Sequence, residues 1–200
     1  FTPTAFRFYQ SISEKLNQPL IQDVVILRIL NSIEEQNNWM IASDKKALTP
    51  FLSSEIKRNE NQRIIAPFGF GRVFDTGRIA TSDLLSVYRK HLTSLDLLLS
   101  EQFQHEALDI SEEIINYKDI SAKKIVFAEG AGVLDNPLFP NELLVPNKGE
   151  YIIVHAPELK SDAILKGPVM LIPLGNDHYK VGATYSRHDV STHTTERATE

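Results

Sequence analysis

Three groups of residues in this chain have types and spacings that invite a chemical reading: glycines behind an apolar run, histidines beside an aspartate, and adjacent glutamates. Gly130 and Gly132 form a G-x-G after the run 123–127. A dinucleotide fingerprint needs a third glycine at 135, but Asp135 stands there, and Pro137 would disturb the helix that should follow. Gly69 and Gly71 fail likewise, because Phe74 holds the third place. Neither a Walker loop nor a G-x-S-x-G elbow occurs, so the chain has no phosphate cradle of its own. The missing Cβ atoms at 130 and 132 still permit close approach by a flat ligand or another backbone; the competing reading is a tight strand exit that binds nothing.

His188, Asp189 and His193 could ligate a metal, but their spacing matches no helical histidine pair and the segment is polar, so a solvated loop is expected. Glu34-Glu35 and Glu112-Glu113 are adjacent pairs whose side chains diverge on any regular element, which suits solvated faces better than paired acid–base work. Tyr9 reads as a core residue with its hydroxyl at the edge, and Trp39 as a residue packed at an interface. Met170 and Tyr185 lie on the two arms of a predicted hairpin. Alternation lets one face of it cover a pocket, although filling the core is the competing role for Met170.

The elements that must position these residues can be read from periodicity and punctuation. Thr2-Pro3 starts a helix with Ala5, Phe8, Tyr9, Ile12 and Leu16 on one face, stopped by Asn17 and Pro19. The β-branched run 24–30 predicts a strand. Ser32 with Glu35 forms a capping box for a helix to about Ala42, and Thr49-Pro50 starts a short helix. The stretch 63–74 reads as extended and broken by glycines, with a turn at Asp75-Thr76-Gly77. Thr81 or Ser82 caps a helix carrying Leu84, Leu85, Tyr88 and Leu92 on one side. Short extended runs are predicted at 97–105, 113–117 and 123–127, then a stiff connector with Pro137, Pro140 and Pro146. Strands are expected at 151–155, 169–173 and 179–185, the last two joined through Gly175-Asn176-Asp177. The fold class is mixed α/β (α+β): a strand–helix–strand section in the middle, mostly antiparallel strands on both sides.

Length and composition bound the function. The 200 residues hold 21 Lys+Arg against 26 Asp+Glu, a net charge of −5, with 42% hydrophobic residues and no cysteine. That suits one sizeable domain or two small lobes. Net acidity argues against a nucleic-acid surface. Lack of cysteine excludes disulfide scaffolds, zinc ribbons, iron–sulfur clusters and cysteine nucleophiles, and fits a reducing, cytoplasmic setting. The longest apolar run is interrupted by Arg28 and far too short for a membrane span. A start at Phe1 and a polar end are expected of a piece of a longer protein.

One order of motifs is familiar. Lys124-Ile125-Val126-Phe127-Ala128-Glu129-Gly130 is followed by Pro146-Asn147-Lys148-Gly149-Glu150, then Leu171-Ile172-Pro173-Leu174, then Val181-Gly182-Ala183-Thr184-Tyr185. This order resembles the FAD-dependent amino-acid oxidase superfamily, which includes glycine oxidase, D-amino-acid oxidase and sarcosine oxidase; the likeness covers about residues 72–190. It implies a flavoprotein with an FAD lobe and a large antiparallel sheet roofing the substrate pocket. Residues 1–70 and 146–200 would be the two parts of the substrate lobe, and 71–145 a partial FAD-binding lobe. Gly130, with Ala131 and Gly132 beside it, would touch the cofactor, as would the backbone of His105 on a strand near 103–105. Met170 and Tyr185 would line the substrate pocket, Met170 at a place where relatives often carry tyrosine. The family's opening G-x-G-x-x-G and its closing arginine-bearing segment are absent.

The resemblance implies hydride transfer from an amine, amino acid or 2-hydroxy acid to FAD, with a small-molecule substrate as partner and no side chain required as general acid or base. This chain alone would hold little FAD. Two other readings stand beside it. One is a non-enzymatic ligand-binding or interaction domain. The other is a glycerol-phosphate-type dehydrogenase of the same superfamily, which would want a basic phosphate pocket, and the Met170/Tyr185 hairpin shows no arginine cluster to supply one.

Overall fold

In the computed structural model of the chain, residues 3–111, 113–139 and 144–198 are described. Their elements run α1 (Pro3–Leu16), β1 (Ile21–Asp23), β2 (Ile26–Ile29), α2 (Ile33–Ser43), β3 (Leu52–Lys57), β4 (Phe70–Val73), β5 (Gly77–Ile79), α3 (Thr81–Ser94), β6 (Leu108–Ile110), β7 (Ile115–Tyr117), β8 (Ile120–Ala122), β9 (Asn147–His155), β10 (Ile164–Lys166), β11 (Met170–Gly175) and β12 (His178–Arg187). The class is mixed α and β with one large, mostly antiparallel sheet. Its seven strands lie in the order β3-β4-β2-β10-β11-β12-β9; β2 pairs with β10 in parallel, while β3–β4, β4–β2, β10–β11 and β11–β12 are antiparallel.

The chain forms two compact units. The first takes the chain up to Leu98, then Glu150–Ala183, then the chain from Thr195 on; the second is Leu99–Gly149 with Thr184–Thr194. These boundaries differ from the lobes expected at 70 and 146: α3 and the strands before it group with the first unit. Within that unit Leu27, Ala66, Phe70 and Leu165 form the core, with Ile29, Ile64, Ala163 and Leu171 packed against it. Burying a side chain of this size contributes about 1.5–3 kcal/mol. Within the second unit β6, β7 and β8 make a small antiparallel meander. Phe103 stacks on Tyr117 at 4.4 Å and meets Phe127 edge-on at 5.7 Å, and Phe127 meets Phe139 in the same way.

Local punctuation accounts for much of this. The Ser32 hydroxyl accepts the Glu35 amide at 3.1 Å, and the Glu35 carboxylate accepts the Asn31 amide at 2.9 Å, so both sides of the capping box are closed, one residue earlier than the usual backbone partner. The β11–β12 turn holds Asn176 at φ 49° and Asp177 at φ 57°, the paired positive angles of a two-residue hairpin loop.

Several expectations are corrected. Phe8 is exposed, although Ala5, Tyr9, Ile12 and Leu16 share a half-buried face. Thr49-Pro50 starts no helix; the Thr49 hydroxyl donates to the Ser43 carbonyl at 2.9 Å and closes successive turns instead. The N-cap of α3 is Ala80, without a side-chain bond, and Leu85 and Tyr88 face solvent. Of the stretch 63–74, only β4 is a strand. The runs 97–105 and 123–127 are not strands, because an extended segment needs a neighbouring strand for its amide bonds, and none pairs with them among the described residues. The middle does run strand–helix–strand, as β5, α3 and β6, but β5 pairs with β1 and β6 with β7, so the two strands belong to different sheets. Thr2, Glu112 and Pro140, each part of an expectation above, lie outside the described residues.

Candidate functional site

In the second unit, the G-x-G sits at the start of a 3₁₀ turn, Gly130–Asp135, rather than at a strand exit. Gly130 has φ 59°, and nothing stands within 4 Å of where its Cβ would be. Ala131 and Gly132 are exposed beside it, and the Gly132 amide donates to the Glu129 carbonyl at 3.1 Å. His105 begins another 3₁₀ turn, His105–Ala107, so its carbonyl accepts the Leu108 amide instead of lying on the expected strand.

Glu129 draws the two segments together. One of its oxygens accepts the amide of the buried Asn136 side chain at 2.8 Å; the other lies 3.9 Å from His105 Nε2. That distance is too long for a hydrogen bond, and Nε2 is a buried nitrogen with no hydrogen-bond partner among the described residues. The His105 ring is held by Phe103 edge-on at 5.3 Å and by Phe127 at 6.3 Å. The four expected cofactor residues thus share one neighbourhood, with Glu129, read in the sequence only as part of the motif, between them.

In the first unit, the sheet has two distinct faces. One carries Leu27, Phe70 and Leu165 and is capped by the 57–62 and 158–162 loops around a cavity of about 650 Å³. Its lining mixes Lys57, Arg58, Arg72 and Lys160 with Glu60, Glu158 and Asp162, so charges of both signs surround it. The other face lies under α2. The Trp39 ring covers Gly71 so closely that a Cβ there would come within 2.3 Å of it, and the indole N–H donates to the Ser53 carbonyl at 2.9 Å. A cleft of about 330 Å³ beside it is lined by Arg28, Glu35, Asn38, Trp39 and Leu52.

Met170 belongs to this second face. It is half-buried and pairs across the sheet with Gly182 on one side and Lys166 on the other. Tyr185, three residues beyond Gly182 on β12, is 66% exposed and falls in the second unit. Met170 and Tyr185 line neither cavity.

Among the described residues no group of three or more His, Asp or Glu, in the 188–193 segment or elsewhere, is placed to hold a metal ion. That segment is tied down instead by Lys148, whose ammonium donates to the Asp189 carboxylate at 3.2 Å, to the Ser191 hydroxyl at 3.0 Å and to the His193 carbonyl. The Asp189 carboxyl is held below the usual range by hydrogen bonds from the Ser191 hydroxyl and amide, with Lys148 adding to the effect. Two residues along, the buried Glu150 accepts the Thr195 amide at 2.7 Å and its hydroxyl at 2.8 Å. The Pro146–Glu150 motif therefore supplies two anchors for the segment after β12.

No family model matches the sequence. Its fold is that of solved glycine oxidases. The Geobacillus kaustophilus enzyme superposes with a TM-score of 0.70 at 15% identity over 96% of this chain, and the Bacillus cereus ATCC 14579 enzyme with 0.70 at 16% over 96%. The chain spans 56% and 57% of the lengths of those two proteins. Among the described residues no helix is long and apolar enough to cross a membrane.

Proposed function

We propose that this chain is the central portion of an FAD-dependent oxidoreductase that oxidises an amine, amino acid or 2-hydroxy acid by hydride transfer to the flavin. The observation that carries the reading is the fold: nearly the whole chain superposes on glycine oxidases that share about one residue in six with it. The order of the four motifs supports it independently.

The residues present fit a cofactor edge. Gly130 leaves open space where a side chain would stand, and His105 offers a buried ring nitrogen with no hydrogen-bond partner among the described residues. Gly130, Ala131, Gly132 and His105 would hold part of FAD, and when bound the flavin supplies the hydride acceptor. The aromatic packing of Phe103 and Phe127 fixes the His105 ring, and Glu129 lies 3.9 Å from it. On the resemblance, Met170 on the large sheet would meet the substrate.

The product of the complete reading frame tests this. It should purify with flavin absorbance that bleaches anaerobically on adding an amino acid or 2-hydroxy acid substrate. The 200-residue chain alone, which has no phosphate cradle, should retain little FAD. A complete product that takes up no flavin from added FAD overturns the reading.

A further inference from the structure

The register of the large sheet lines up residues that are distant in sequence. Gly71 pairs with Arg28, Arg28 with Lys166, Lys166 with Met170, and Met170 with Gly182. Residues opposed in this way share a face and stand about 5 Å apart. Trp39 over Gly71 and Arg28 in the Trp39 cleft show that the row lies on the α2 side. Two cations therefore stand side by side next to Met170. Lys180, two residues before Gly182, follows on the same face, with its ammonium 4.3 Å from the Tyr151 ring centroid.

The charges on this face are unequally answered. Glu35 faces Arg28 with one oxygen at 3.8 Å while its other oxygen accepts the Asn31 amide, so Arg28 has one acidic neighbour. Lys166 has no ion pair or hydrogen bond among the described residues, although it is half-buried at the end of a strand whose other members, Ile164 and Leu165, are buried. A partly desolvated ammonium without a partner is costly to keep unless something negative comes to it.

We propose that the Arg28–Lys166 row binds an anionic group, carboxylate or phosphate, of the molecule that reaches Met170. On the oxidoreductase reading, on which this substrate assignment rests, the substrate class is one with an acidic group away from the reacting carbon. The basic side chains missing from the 170–185 hairpin are thus supplied by β10 and, beyond it, β2.

Trp39 is the single tryptophan of the chain and lines the cleft with Arg28, so its fluorescence reports on this place. Succinate and inorganic phosphate are titrated separately into the 200-residue chain at ionic strength held constant with sodium chloride. A saturable change with at least one of them is expected. Saturation by succinate alone identifies a carboxylate site, by phosphate alone a phosphate site, and by both a shared anion site. Lys166→Met should weaken binding about tenfold or more, and Lys166→Arg should restore most of it. Arg28→Gln should weaken it too, while Lys90→Met on α3 leaves it unchanged. Circular dichroism confirms that each variant is folded. A response that follows ionic strength only, or that survives Lys166→Met, overturns the proposal. No flavin is involved, so failure here leaves the oxidoreductase reading standing, and failure to bind flavin leaves the anion site standing.

Discussion

Asp189 shows how a residue that looks like a metal ligand becomes a clasp. Its carboxyl is held below the ordinary aspartate value by the Ser191 hydroxyl and amide, then by Lys148. A carboxyl whose folded-state value is depressed contributes stability that is present above its unfolded value and is lost as pH falls through the folded one. The expected outcome is a stability difference between the wild type and Asp189→Asn that exists at neutral pH and disappears at the acid end, measured by urea unfolding across a pH series. A difference that is constant with pH would show that the carboxylate charge does not matter. At the same scale, His105 has a neighbour no spacing rule could find. Glu129 lies twenty-four residues away in sequence, and only the packing of two 3₁₀ turns brings it to 3.9 Å.

At the scale of elements, what was legible was what is local. The capping box of α2 and the Asn176-Asp177 turn depend on residues within four positions of each other, and both formed as read. The strand at 24–30 was legible as a β-branched run, although β2 itself is only Ile26–Ile29. The runs 97–105 and 123–127 have a strand's composition without a strand's partner, and composition carries no information about whether a partner exists. Ser32 offers the direct measurement. Ser32→Ala removes the acceptor of the Glu35 amide and should cost about 1 kcal/mol in chemical unfolding. Because α2 carries Trp39 onto Gly71, the loss should appear in tryptophan fluorescence as well as in circular dichroism; unchanged stability would mean that packing alone holds α2.

At the scale of the molecule, the row on the α2 face explains why the candidate substrate surface was half visible. Met170 was reached through the motif around Pro173, but Arg28 and Lys166 are joined to it by a parallel pairing across most of the chain, and such pairings leave no mark in local sequence. The same non-local logic applies to the surface. Ile65 and Val126 are 86% and 85% exposed, and Leu85 and Leu97 are 70% and 67% exposed. Large apolar side chains left in water in this number favour association or a covering element. The chain spans little more than half the length of the glycine oxidases whose fold it shares. If further chain covers these positions, the 200-residue protein should bind a hydrophobic fluorescent dye at neutral pH, and the product of the complete reading frame should bind less per molecule. Leu85→Lys and Val126→Lys in the shorter protein should then lower dye binding without lowering the unfolding midpoint, since neither side chain belongs to the buried core. Equal dye binding by the two proteins would mean that these apolar positions remain on the surface of the complete molecule.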